Sequence, residues 1–207
     1  MKKTLSYILA IVVCLATLCG CGDTPSGGQT TDGPRDSVML RNALGMQTTD
    51  PADTNETDVL TVNEQIYEGL YTLDESGGGY QPCLAKQIDI SDDATVYTIT
   101  LQDGVKFHNG ETLKASDVVF SYQHFMDNPK YNSYTDMIEK VEASDDSHVV
   151  ITIARPYSPI LHTFFKIKIL SEKEVTSQGS DFGTIANLAG TGPYYMDAET
   201  YRPNSGW

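Results

Sequence analysis

After its first 21 residues the chain is almost without cysteine. Four occur in all, and Cys14, Cys19 and Cys21 crowd at the start, which leaves Cys83 by itself. One thiol closes no internal disulfide unless Cys21 stays unmodified, so stability must come from an ordinary apolar core. Basic residues are scarce too: 14 Lys and Arg stand against 28 Asp and Glu, a formal net charge of -14. That balance argues against a nucleic-acid partner, because binding to phosphates draws on basic groups. No histidine pair has local metal-ligand spacing; His108, His124, His148 and His162 are scattered, and no cysteine adjoins them. Neither a metal nor a cofactor is therefore expected.

Motifs of catalysis are also missing. "ESGGGY" lacks the following Gly-Lys-Ser/Thr of a phosphate loop and reads as a turn. "SQGSDFG" has neither the spacing nor the preceding strand of a nucleophile elbow. Cys83, between Pro82 and Leu84, reads as an apolar filler. Asp92-Asp93 and Asp145-Asp146 sit in turns, where Asp is favoured for backbone reasons. His108, between Phe107 and Asn109, is expected to be a hydrogen-bonded structural imidazole, and an enzyme is not expected.

No apolar run is long enough to cross a bilayer, which takes roughly 20 residues. The longest, Leu5 to Leu18, follows Lys2 and Lys3, is interrupted by Ser6 and Thr17, and leads into Leu18-Cys19-Gly20-Cys21. Positive residues, a short apolar stretch and then small residues make an export signal. The last four residues resemble a bacterial lipobox, so residues 1–20 are expected to be a lipoprotein signal peptide, with Cys21 the lipidated residue. Residues 21–37, rich in Gly, Thr, Ser, Pro and Asp, read as a flexible tether. The remaining span, 38–207, is the folded part.

Within that span, "SVMLRNAL" reads as a short strand and "QTTDPADTNETD" as a polar loop. "VLTVNEQIYEGL" reads as a helix sharing Leu60, Ile66 and Tyr67 on one face and stopped by Gly69. "TVYTITL" alternates, with Tyr97, Ile99 and Leu101 on one side. "ASDVVFSYQHFM" puts Val118, Val119, Tyr122, Phe125 and Met126 on a helical stripe, capped near Ser116 or Asp117. "KVEASDDSHVVITIA" predicts a hairpin turning at 144–147. "YSPILHTFFKI" and "SEKEV" predict short helical segments, and "AGTGPYYM" a glycine-rich entry into a strand. Mixed elements of this kind indicate an α/β or α+β arrangement.

Several segments occur in the order of one family: Tyr67-Glu68-Gly69-Leu70, Pro82-x-Leu84-Ala85, Tyr97-Thr98, Val105-Lys106-Phe107-His108-x-Gly110, Ala115-x-Asp117-Val118 and Gly190-Thr191-Gly192-Pro193-Tyr194. From about Leu40 to Met196 the chain resembles the N-terminal part of the extracytoplasmic solute-binding proteins of family 5, the peptide- and nickel-type receptors of ABC importers. The resemblance implies a type II periplasmic-binding-protein-like fold, here its first lobe and incomplete, within a two-lobed receptor that closes on its solute by hinge motion.

On that basis the expected role is a substrate-binding lipoprotein, held by its lipid anchor on the extracytoplasmic face of the cell membrane. It would act as a monomer, capturing oligopeptides or a related solute and passing them to an ABC permease. The resemblance places Asn55, Glu56 and Thr57, after Asp50-Pro51, and Tyr134, after the amphipathic helix, near the ligand. "KFHNG" and "DVVFSY" become scaffold. The alternatives are a lipid-anchored extracellular hydrolase and a sensing or interaction module on the same fold. Family members are longer, so a partial sequence is expected, with apolar surface exposed and weak binding when the first lobe stands alone.

Overall fold

The structure, a computed structural model, describes residues 48–184 and 190–196. The expected signal peptide, Cys21, the tether and the strand at 37–44 lie outside the described residues. No helix among those described is long and apolar enough to cross a membrane.

Helix α1, Thr57–Ile66, ends where the Tyr67 N–H reaches the Asn63 carbonyl at 2.8 Å. Its inner face is Val59, Asn63 and Ile66, running on to Tyr67, while the expected Leu60 is only half buried. Gly69 lies beyond the helix end and has another reason to be glycine. A Cβ there would stand 2.6 Å from the Phe164 carbonyl oxygen, so the chain passes too close for any side chain.

Strands β1 (Tyr71–Leu73) and β2 (Tyr80–Pro82) form an antiparallel hairpin. Its turn is the triple-glycine segment, with positive φ at Gly77 and Gly79.

The main sheet is antiparallel, in the order β3-β4-β6-β5: β3 Ala85–Ile90, β4 Val96–Leu101, β5 Ile138–Ala143 and β6 His148–Ile153. Strand order follows burial. The central β4 and β6 alternate, burying Tyr97, Ile99 and Leu101 beside Val149, Ile151 and Ile153, while β3 and β5 at the edges are largely exposed. The β5–β6 turn falls where the sequence predicts it. Asp145 Oδ1 closes it by accepting the N–H groups of Ser147 at 2.7 Å and His148 at 2.9 Å.

Helix α2, Ala115–Met126, packs Val118, Tyr122 and Phe125 into the same core as the sheet. Its cap stands two residues before Ser116 and three before Asp117, the expected caps. Lys114 is the N-cap, and Asp117, at the third helical position, reaches back to accept its N–H at 2.9 Å. The buried stripe is also rotated from the expected one: Val119 and Met126 are half buried, whereas Asp117 and Ser121 are buried. Those two polar side chains fasten a distant segment. The Leu170 N–H donates to Ser121 Oγ at 2.8 Å, and the Glu172 N–H to Asp117 Oδ1 at 3.0 Å.

After α2 come a 3-10 turn, Pro129–Tyr131, and the one-turn helix α3, Asn132–Thr135. Helices α4, Ile160–Lys166, and α5, Glu172–Gln178, stand where the sequence predicts them. Residues 190–196 are not a strand. Instead of joining a ladder, the Gly192 and Tyr194 N–H groups donate to the Ile66 and Gln65 carbonyls at the C-terminal end of α1, at 2.9 and 3.1 Å. Among the described residues, the large apolar side chains left exposed are Leu73, Ile90, Tyr194 and Tyr195.

Candidate functional site

The polar loop before α1 is held by the last turn of α2 and by the segment that follows it. Asp50 Oδ1 accepts the Ala52 N–H at 2.8 Å, an Asx turn, and Asp50 Oδ2 lies 2.9 Å from His124 Nε2 on α2. That carboxylate raises the His124 pKa, with burial opposing it. The buried Tyr131 hydroxyl donates to the Pro51 carbonyl at 2.7 Å and contacts the Thr54 carbonyl at 3.2 Å. Burial first, then the nearby Tyr134 and Asp50, push its pKa up, so it stays a donor. Lys130 Nζ reaches Asp53 Oδ1 at 2.7 Å and the Asp53 carbonyl at 2.6 Å. Behind the loop, the Thr49 N–H donates to the Gly183 carbonyl at 2.8 Å.

Above these ties is an open concavity of about 390 Å³ lined by Thr48, Asp53, Thr54, Asn55, Glu56 and Lys130. It therefore brings together Asn55 and Glu56 of the four expected ligand residues. Thr57 follows directly in the chain but is outside the lining; it is exposed, and its carbonyl accepts from Thr61 Oγ1. Tyr134 is also outside it, on α3, half buried between the Tyr131 ring at 5.9 Å and the His162 ring at 5.5 Å. Nothing in the sequence pairs Asp53 with Lys130, because 77 residues separate them. The local sign was Asn128-Pro129, which starts the 3-10 turn that carries Lys130.

Chemically the concavity offers amide and hydroxyl groups and charges of both signs to a polar ligand. Its rim is loop on a fixed base, the usual placement of binding residues. A nucleophile-base pair does not emerge from the two most reactive-looking constellations. Asp145, Ser147 and His148 touch one another, but Asp145 and Ser147 share the same imidazole nitrogen, Nδ1, at 2.9 and 3.1 Å. A relay needs the two ring nitrogens on different partners. Cys83 Sγ donates to Glu68 Oε1 at 3.4 Å, and burial with the Glu68 charge pushes its pKa up to about 12, away from the thiolate. Among the described residues no group of three or more His, Cys, Asp or Glu is placed to hold a metal.

His108 has the structural role expected of it. Its Nε2 lies 2.7 Å from the Gly192 carbonyl, and its Nδ1 lies 3.3 Å from the Gly190 nitrogen.

The profile of the bacterial extracellular solute-binding proteins, family 5 Middle, matches residues 79–207. The glutathione-binding protein GsiB of Salmonella typhi is 33% identical over 167 residues, covering 77% of this chain and 32% of that protein. Among solved structures, Listeria monocytogenes OppA bound to peptide superposes with a TM-score of 0.67 at 28% identity, over 72% of this chain and 33% of that one. NikZ from Campylobacter jejuni, in complex with Ni(L-His), gives 0.61 at 34% identity, over 72% and 30%. The chain thus spans about a third of the length of these relatives. The fold is of the type II periplasmic-binding-protein kind, covered in part.

Proposed function

We propose, because the chain belongs to the bacterial extracellular solute-binding proteins of family 5, that it supplies one wall of a cleft that captures oligopeptides or a chemically similar solute for an ABC importer. Membership of that family carries the reading. The similar proteins are solute-binding proteins rather than enzymes, and those named above bind glutathione, a peptide and Ni(L-His). On this reading Asn55 and Glu56, exposed at the lip of the concavity, pair with the ligand, and Thr57 continues the same edge. Tyr134 offers a ring and a hydroxyl further along. Main-chain pairing supplies the affinity, and the polar lip selects among ligands.

Cys21 carries a lipid that keeps the domain outside the cytoplasmic membrane, and residues 21–37 give it reach to a permease. It works as a monomer. Metabolic labelling with a fatty-acid analogue is expected to mark the chain, and Cys21→Ala to abolish the label.

The binding reading is tested by NMR titration of the chain with trialanine at millimolar concentration. A single wall leaves the other side of the ligand in water, so weak binding is expected, with amide shifts centred on residues 55–57. Tyr134 ring signals should move with them. Shifts confined to other surfaces, or release of free alanine, would refute it.

A further inference from the structure

Three hydrogen bonds join His108 to the segment Gly190–Gly192. Its backbone N–H donates to the Gly190 carbonyl at 2.9 Å, Nε2 lies 2.7 Å from the Gly192 carbonyl, and the Gly190 N–H points to Nδ1 at 3.3 Å. A carbonyl only accepts and an N–H only donates, so these partners specify the tautomer: a neutral ring with its proton on Nε2 and a lone pair on Nδ1.

The segment is clamped from its other side by α1. The Gly192 N–H donates to the Ile66 carbonyl at 2.9 Å and the Tyr194 N–H to the Gln65 carbonyl at 3.1 Å, which satisfies two of the carbonyls that a helix end leaves open. The approach is tight. A Cβ at Gly190 would stand 1.9 Å from the Ile66 carbonyl oxygen, and one at Gly192 would stand 2.5 Å from that of Gln65. His108 is thus on one side of a buried glycine segment, and on the other is the helix whose N-terminal end carries Asn55 and Glu56.

We infer that His108 is the positioning residue that latches the Gly190–Gly192 segment onto the end of α1, and that a proton on Nδ1 releases the latch. The imidazolium has an N–H on both nitrogens, so Nδ1–H confronts the Gly190 N–H. Turning the ring away from that clash carries Nε2 off Gly192. The Gly190 N–H, in a buried residue, then lacks its acceptor. His108 itself is exposed, so protons from solvent reach it. Several other titratable groups surround it. Lys106 and Glu111 belong to its own turn. Glu174 of α5 meets that turn through Asn109 Nδ2, Lys173 pairs with Glu111, and the Tyr195 ring lies 6.2 Å away. The effect on Asn55 and Glu56 as ligand residues rests on the function proposed above. The latch does not, and it is measured without ligand.

The experiment is a pH titration of the unaltered chain by NMR, repeated with His108→Ala. Long-range ¹H–¹⁵N correlation above the His108 titration should show the ring neutral with its proton on Nε2. Protection of the Gly190 amide against exchange, corrected for the intrinsic pH dependence, should fall at least threefold as His108 titrates, and the Asn55 and Glu56 amide shifts should follow the same curve. In His108→Ala, Gly190 protection should be low at every pH and those curves should vanish, which separates the latch from the titration of Glu111 and Glu174. A proton found on Nδ1 or a flat Gly190 profile in the unaltered chain would overturn the latch. Flat Asn55 and Glu56 shifts would overturn its positioning role. Trialanine binding that fails while the latch curves persist would refute only the proposed function.

Discussion

Tyr131→Phe isolates what holds the polar loop before α1 in place. The ring stays: it meets Phe125 in a T-shaped contact at a centroid distance of 4.6 Å, and phenylalanine keeps that contact. Only the hydroxyl goes, and with it the donor to the Pro51 carbonyl at 2.7 Å and the contact to Thr54 at 3.2 Å. Pro51 and Thr54 are buried, so the Pro51 carbonyl is left without this donor in a place water does not readily reach. Leaving a buried acceptor unpaired costs about 1–3 kcal/mol. The Lys130–Asp53 ties, at the surface, contribute less than about 1 kcal/mol and cannot make up the loss. Urea unfolding should therefore show a loss of about 1–3 kcal/mol with an unchanged slope. Amide exchange at Ala52 and Asp53, whose N–H groups close on Asp50, should quicken before the sheet amides do. Stability and loop exchange both equal to those of the unaltered chain would refute the claim that this hydroxyl anchors the loop.

Three further outcomes follow from the same packing. Ser121→Ala removes the acceptor of the buried Leu170 N–H and should cost about 1–3 kcal/mol in urea unfolding, with faster exchange at Leu170; an unchanged midpoint would show that the segment at Leu170 is not held there. Gly69→Ala drives a methyl to within 2.6 Å of the Phe164 carbonyl oxygen and should destabilise by about 1–3 kcal/mol, since the obstacle is backbone; a neutral result by thermal melting would show that the hairpin shifts freely. The folded-state pKa of His124 is raised, chiefly by its hydrogen bond to Asp50, above the ordinary imidazole value of about 6.5. Its contribution to stability is therefore complete below that value and is lost as pH rises through the folded-state one. Unfolding measured across this window should show that loss in the unaltered chain, and not in His124→Gln.

The sequence alone determined what depends on neighbours a few residues apart. The alternation of Tyr97, Ile99 and Leu101 marks β4, and the turn residues 144–147 mark the hairpin after β5. The apolar spacing from Val118 to Phe125 marks α2, because strand, turn and helix periods are short-range properties of the chain. The ordered motifs carried the family as well. Tertiary structure decided the rest. It turned α2 so that Asp117 and Ser121 face inward, because backbone N–H groups 49 and 55 residues away need acceptors. It kept residues 190–196 out of a sheet, because α1 offers them open carbonyls at its end. It also set Lys130 beside Asp53 and His108 against Gly192. Such partners lie 77 and 84 residues apart, and no period in a sequence reports which distant groups will meet when the core closes.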